Sequence, residues 1–215
     1  MIAHYYNART MSGTIVMTQV SGNKRAVCTT ELQFAVPAKL YVRQSLQSAV
    51  DQQQWLVTSD GAYFTYDPPT GVEGKRLIED CFQNNRQLTV QDIYVAASHS
   101  IYDRSTPLDL IIGRIEDLKY RKQQWVTLAT LGTTKIGDTD VTVVGGDWRE
   151  YGKAPVGATY QMMIDGQKQL RRFVMFQKIG TPINGRLVVQ DVETDWDINV
   201  VKDGPVNDLL FKVIR

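Results

Sequence analysis

The run Leu56-Val57-Thr58-Ser59-Asp60-Gly61-Ala62-Tyr63-Phe64-Thr65-Tyr66-Asp67-Pro68-Pro69 decides the fold class. Two short segments rich in β-branched and aromatic residues flank Asp60-Gly61, a pair that tolerates positive φ and suits the tight turn of a hairpin. Pro68 and Pro69 stop the second arm, because proline has no N–H to give to a ladder. Just upstream, Phe34-Ala35-Val36-Pro37-Ala38-Lys39-Leu40-Tyr41-Val42-Arg43 reads as strand, break, strand, with Pro37 as the break. Consecutive antiparallel strands are the simplest reading of both.

The pattern continues outward. Residues 13–20 and 26–34 are strand-like runs joined by the turn Ser21-Gly22-Asn23-Lys24. In the second run Ala26, Cys28, Leu32 and Phe34 share one face, while Thr29, Glu31 and Gln33 share the other. Leu40 with Val42, Trp55 with Val57, and Phe64 with Tyr66 repeat the alternation, which predicts an antiparallel sheet with one apolar and one polar face. The period then changes. Leu77, Ile78, Cys81 and Phe82 fit a helical stripe or an irregular continuation of the sheet. Thr89 with Asp92 has capping-box spacing at the head of a helix over 89–97. In Thr106-Pro107-Leu108-Asp109-Leu110-Ile111-Ile112-Gly113, Thr106 caps, Pro107 opens and Gly113 stops a second short helix. Strands return over 125–136, 140–145, 158–164, 169–178, 186–197 and 209–214, separated by glycine-bearing turns. Ile2, Tyr5 and Tyr6 read as the tail of an amphipathic helix entering the first strand.

Composition bounds the function. A chain of 215 residues with 43% hydrophobic content can bury one substantial core, so a single domain over 1–215 is expected. Twenty-four basic against 23 acidic residues give a net charge of +1, which lacks the field that drives nucleic-acid binding. No apolar run approaches the ~18 residues of a membrane span, so the chain is not expected to span one. Cys28 and Cys81 are too few for a disulfide scaffold or zinc site. They are compatible with two buried thiols or, in an oxidising compartment, one disulfide.

The corner Pro37-Ala38-Lys39-Leu40 and the hairpin Val57-Thr58-Ser59-Asp60-Gly61 closing on Tyr66-Asp67-Pro68 resemble those of the bacterial periplasmic lipoprotein carriers of the LolA type. Pro107-Leu108-Asp109-Leu110-Ile111-Ile112 resembles the short apolar helix of that family. The segment 160–165 ending in Ile164-Asp165, followed by Gln169-Leu170-Arg171-Arg172-Phe173, resembles its arginine-bearing hairpin. The ending, Ile198-Asn199-Val200 through Gly204-Pro205 to Leu210-Phe211-Lys212-Val213, resembles its closing strand. The resemblance implies a mainly β (α+β) fold: a single curved antiparallel sheet forming a half-barrel, with short helices covering the concave face.

It further implies a non-enzymatic envelope carrier that holds the acyl chains of a lipid or lipoprotein, with membrane-bound donor and acceptor proteins as partners and no cofactor. The lipid-binding residues would be Leu32, Phe34, Leu40, Val42, Trp55, Val57, Phe64, Tyr66, Val192 and Trp196 on the face, and Ile93, Leu108, Ile111 and Ile112 in the lid. A periplasmic or other extracytoplasmic location follows from the same resemblance, with the chain expected as a mature or trimmed form without its targeting segment. The alternative on this fold is a protein-interaction domain that senses envelope stress. One departure stands out: the family's latch arginine is replaced by Val36, and Arg43, in phase opposite to Leu40 and Val42, should point outward.

Chemistry is hard to assemble from the remainder. His99, with Ser98, Ser100 and Asp103 nearby, lacks the strained Gly-Xaa-Ser-Xaa-Gly elbow of a hydrolase nucleophile. Asp191, Glu193, Asp195 and Asp197 fall at period two, which lines carboxylates along one strand face instead of converging them on a metal. They are expected to meet cations such as Arg171, Arg172 or Lys178 on a neighbouring strand. Asp138 and Asp140 match a calcium loop too weakly to propose one. No catalytic residue and no metal ligand are assigned.

Overall fold

In a computed structural model of the chain, residues 1–67, 76–97, 101–102, 106–113, 125–149, 158–183 and 186–213 are described. In order they form α1 (Ile2–Tyr6), β1 (Thr10–Ser21), β2 (Lys24–Ala35), β3 (Lys39–Ser48), β4 (Gln52–Asp60), β5 (Tyr63–Asp67), β6 (Leu77–Asp80), β7 (Phe82–Gln83), β8 (Arg86–Gln87), α2 (Val90–Ala96) and α3 (Thr106–Ile112). Then come β9 (Ala129–Ile136), β10 (Thr139–Trp148), β11 (Ala158–Asp165), β12 (Leu170–Ile183), β13 (Arg186–Lys202) and a 3₁₀ turn, Asp208–Phe211.

Eleven strands make one antiparallel sheet in the order β6-β5-β4-β3-β2-β1-β13-β12-β11-β10-β9. The sheet is curved into a half-barrel that does not close, and β7 and β8 form a separate small hairpin. The first and last long strands meet at its centre, because β1 pairs with β2 on one edge and β13 on the other. Alternation puts Met11, Ile15 and Met17 of β1 on the inner face with Leu32 and Phe34, Leu40 and Val42, and Trp55 and Val57. Ile198, Trp196, Phe173, Tyr160 and Met162 continue that face on the other side of β1.

Asp60-Gly61 turns as its residue types require. Asp60 Oδ1 accepts from the backbone N–H of Ala62 and Tyr63, both at 2.8 Å, and Gly61 takes φ +93°.

Several expectations are corrected. Of the two readings of 77–82, the helix is set aside and the continuation of the sheet holds: Leu77–Asp80 is a strand on the free edge of β5 with Tyr63 opposite Asp80, and only Cys81 of the apolar stripe is buried. The segment expected as a final strand coils instead: Asn207 accepts from the N–H of Leu209 through its side chain, and Phe211 inserts against β3 and β4. The strand expected from 125 starts at Ala129, Trp125 making only an isolated bridge to Trp148. Thr106 is the first residue of α3 rather than its cap. Of the two alternatives left open for the cysteines, buried thiols hold: Cys28 and Cys81 are both buried and form no disulfide with each other.

The short α1 docks by one residue. Tyr5 is 2% exposed and its hydroxyl accepts from the N–H of Leu170 at 2.7 Å, burial pushing its pKa up to about 12. Tyr6, expected on the same face, is exposed. His4 stands edge-on to the Tyr5 ring, and burial, then Lys202 and the terminal amine, lower its pKa below the ordinary 6.5. A folded pKa below the unfolded one makes stability complete above about pH 6.5 and eroded as pH falls through the folded pKa. His4→Gln should flatten that acid limb, read as the urea midpoint between pH 7 and pH 5.

Candidate functional site

The inner face is apolar from β5 to β11. Cross-strand neighbours on it include Phe34 with Leu40, Leu32 with Val42, Val57 with Tyr66, Met17 with Trp196, and Phe173 with both Trp196 and Met162. Polar residues on it pair with one another, Gln44 Nε2 donating to Thr30 Oγ1 at 3.0 Å and Gln19 Nε2 to Thr194 Oγ1 at 3.2 Å. Burying side chains of this size stabilises the fold by about 1.5–3 kcal/mol each.

The lid is tied to the Pro37 corner. The N–H of Val90, first residue of α2, donates to the Pro37 carbonyl at 2.7 Å, and Ser59 Oγ donates to the Ala38 carbonyl at 2.6 Å while touching Cys81 Sγ at 3.3 Å. Burial raises the Cys81 pKa, which disfavours the thiolate. The helices α2 and α3 are clamped by Tyr94, whose hydroxyl donates to buried Asp109 Oδ1 at 2.7 Å. The expected capping box is present: Thr89 Oγ1 accepts from the Asp92 N–H and Asp92 Oδ2 accepts from the Thr89 N–H. Thr89→Ala should cost about 1 kcal/mol, measured as a shift of the urea midpoint at constant slope. Val36 is exposed, and so is Arg43, as its phase implied.

On the other half of the face the rings run in a row. Trp125 lies 6.1 Å from Tyr160, Tyr160 is stacked 6.1 Å from Phe173, and Phe173 meets Trp196 edge-on at 5.4 Å. The Tyr160 hydroxyl donates to the Thr127 carbonyl at 2.8 Å. By contrast Trp196 Nε1, Trp148 Nε1, Trp125 Nε1 and Gln44 Oε1 are buried with no hydrogen-bond partner among the described residues. Buried polar atoms in a filled core are nearly always bonded, so these four are exceptions, and they lie on one face.

The outer face is polar. Arg172 forks onto Asp195, with Nε to Oδ1 at 2.8 Å and Nη2 to Oδ2, as expected for the carboxylate row. The row raises the Arg172 pKa further, chiefly through that hydrogen bond. Lys178 faces Asp191 in register. Arg171 does not join the row. The pairing of β11 with β12 shifts between Met163 and Ile164, and Arg171 turns to Asp165 at 2.7 Å. The 3₁₀ turn straps this face, with the Lys39 ammonium 2.8 Å from Asp208 and 5.7 Å above the Phe211 ring. Among the described residues no group of three or more His, Cys, Asp or Glu is placed to hold a metal. No helix among them is long and apolar enough to cross a membrane.

All fourteen apolar residues singled out from the sequence are buried. Thirteen join the continuous core, and Val192 is buried outside it, near the end of β1. Sequence reading missed Tyr94 and Asp109 as a clamp and Phe173 and Tyr160 as the centre of the aromatic row. Phe173 carried a signal, the alternation of Phe173 with Met175 in a strand two positions past a turn. The Ser98, His99, Ser100 and Asp103 grouping lies outside the described residues, as do Pro68 and Pro69.

No family model matches the chain, and no curated protein does. Solved structures similar to this one include LprF from Mycobacterium bovis, with TM-score 0.45 and 12% identity over 96% of this chain and 90% of that one. The Mycobacterium tuberculosis lipoprotein LppX is similar at TM-score 0.43 and 10% identity, over 96% and 92%. A LolA superfamily protein from Nitrosomonas europaea is similar at TM-score 0.29 and 9% identity, over 99% and 94%. Likenesses this remote assign no activity to the chain.

Proposed function

We propose that the protein is a non-enzymatic carrier of the cell envelope, holding the acyl chains of a lipid or lipoprotein between the inner face of the half-barrel and its helices. The observation that carries the reading is the inner face itself: a broad apolar surface on which three indole N–H groups and the Gln44 carbonyl have no partner among the described residues. An acyl guest matches the apolar area, at about 0.8 kcal/mol per buried CH₂, and its ester or amide carbonyls match the indole donors. Leu32, Phe34, Trp55, Phe64 and Trp196 on the sheet and Ile93, Leu108 and Ile112 on the helices are the proposed contact residues. The Tyr94–Asp109 bond holds two of those helices together, so opening of the lid is proposed as motion of α2 and α3 as a pair.

Native mass spectrometry of the freshly purified protein, followed by solvent extraction, tests this. Adducts of acyl-lipid mass that vanish on denaturation are the expected result. A mass that stays bare after incubation with acylated peptides and with liposomes would sink the carrier reading and favour a protein-interaction domain.

A further inference from the structure

Three consecutive residues between β2 and β3 are gripped by three different elements. The Pro37 carbonyl accepts from the N–H of Val90, at the head of α2, and the Ala38 carbonyl accepts from Ser59 Oγ of β4. Lys39 reaches the other way. Its phase is opposite to that of buried Leu40, and its ammonium meets Asp208 at 2.8 Å and stands 5.7 Å above the Phe211 ring. One corner of the sheet is thus shared by the lid on the inner face and by the C-terminal segment on the outer face.

That segment is a strap fastened at its root and at its tip. At the root the Asp203 N–H donates to the Thr10 carbonyl, Asp203 Oδ1 accepts from the Arg9 N–H, and Thr10 Oγ1 donates to the Gly204 carbonyl, all at 2.8 Å. Further along, the Asn207 N–H donates to Gln33 Oε1 of β2. At the tip Phe211 is buried against β3 and β4, the one buried side chain of residues 207–212. The root leads to the same corner, since the Arg9 carbonyl accepts from the Val36 N–H at 2.9 Å. The ladder ends at Ala35 opposite Lys39. Among the described backbone bonds the N–H of Val36 and the carbonyl of Pro37 both leave the turn, so residues 36–38 are positioned by the elements that grip them.

We propose that the C-terminal strap is a latch for the lid: by holding Lys39 from the outer face, Asp208 and Phe211 fix the turn to which α2 is tied. The turn at 36–38 is the element that both ends bias. Lifting Phe211 frees Lys39, lets the turn move and weakens the bond from Val90 to Pro37, and α3 follows α2 because Tyr94 holds Asp109. The tip is the part that can be lifted. Its ion pair is open to water on both partners, so salt screens it and it holds little by itself. An encounter on the outside of the sheet thereby controls access to the inside with no contact on the inner face. The proposal rests on the carrier reading only for what the lid admits, and the coupling itself needs no guest.

Hydrogen exchange of backbone amides, followed by NMR on the full chain without lipid, reads both ends. Phe211→Ala should speed exchange of the Val90 amide by about fivefold or more. Asp208→Asn, an exposed change that leaves the ring in place, should move it the same way by less, with the β12 amides of Phe173 to Met175 unchanged in both variants. Coupling free energies are reciprocal, so loosening the head of α2 with Thr89→Ala should speed exchange of the Leu210 amide, which donates to the Asn207 carbonyl. If Phe211→Ala fails to fold, the other two variants still decide the matter. A Val90 amide that keeps its wild-type rate in the strap variants, whether or not Leu210 is released, would overturn the proposal. So would a rise shared equally by the β12 amides, which would assign the effect to global unfolding. Lipid extraction decides the carrier reading separately: coupled exchange in a protein that yields no lipid leaves the latch standing and the carrier refuted, and a lipid-loaded protein with uncoupled exchange does the reverse.

Discussion

Phe173→Ala is expected to cost about 3–5 kcal/mol, a large part of the 5–15 kcal/mol that ordinarily holds a domain folded. The ring is fully buried. It stands on β12 opposite Trp196 of β13 and Met162 of β11, stacks on Tyr160 at an interplanar angle of 8°, and meets Trp196 at 73°. Its removal takes away transfer energy and two ring contacts, and it opens a void that the two neighbouring strands, β11 and β13, cannot close, since their spacing is fixed by the ladder. Phe173→Leu keeps most of the volume and should cost about 1.5 kcal/mol. Urea denaturation gives both values, and near-ultraviolet dichroism should lose the Trp196 signal in the alanine variant alone. A loss below 1 kcal/mol for the alanine change would mean that the aromatic row is not packed as described.

Gly13→Val is the second large effect. Gly13 lies inside β1 with φ +155°, and a Cβ at that position would sit 2.1 Å from the Asn199 carbonyl oxygen and 2.6 Å from Val200 Cα. Both atoms are backbone, so no rotamer change relieves the clash, and β1 must separate from β13 to admit the side chain. A cost of about 3 kcal/mol or more is expected, with a lower slope of unfolding if the seam frays in the native state. Gly22→Ala is the natural control, because nothing lies within 4 Å of a Cβ there. It tests the turn conformation without the clash. Equal stability of the Gly13 variant and wild type would refute the close approach of β1 and β13.

What was legible in the sequence was what is decided over a few residues. Asp60-Gly61 and Thr89-Xaa-Xaa-Asp92 each contain their own hydrogen-bond partners, and both fold as read. Strand phase was equally local, which is why the buried faces of β2, β3, β4 and β5 could be named. Pairings that depend on a distant edge were not legible. Leu210, Phe211 and Lys212 alternate as a strand would, but β1 and β13 already occupy one another, and the segment coils across the outer face instead. Arg171 and Arg172 are adjacent and chemically alike; only the register shift in β12 sends one to Asp165 and the other to Asp195. The orphan indole donors had no sequence signal at all, because a tryptophan with a partner and one without look the same in a string.

The seating of β1 between β2 and β13 also governs how the protein is made. β2 is available as soon as it leaves the ribosome, but Gln19 must wait for Thr194, 175 residues later. At about 5–20 residues per second this is roughly 9–35 s during which a nascent half-sheet presents an unpaired edge and an uncovered apolar face. Closure at the centre therefore waits for β13, so truncation anywhere before β13 would release a species with a sticky edge. Production of the whole chain, and escort of its unfinished form, should limit yield more than the stability of the finished fold.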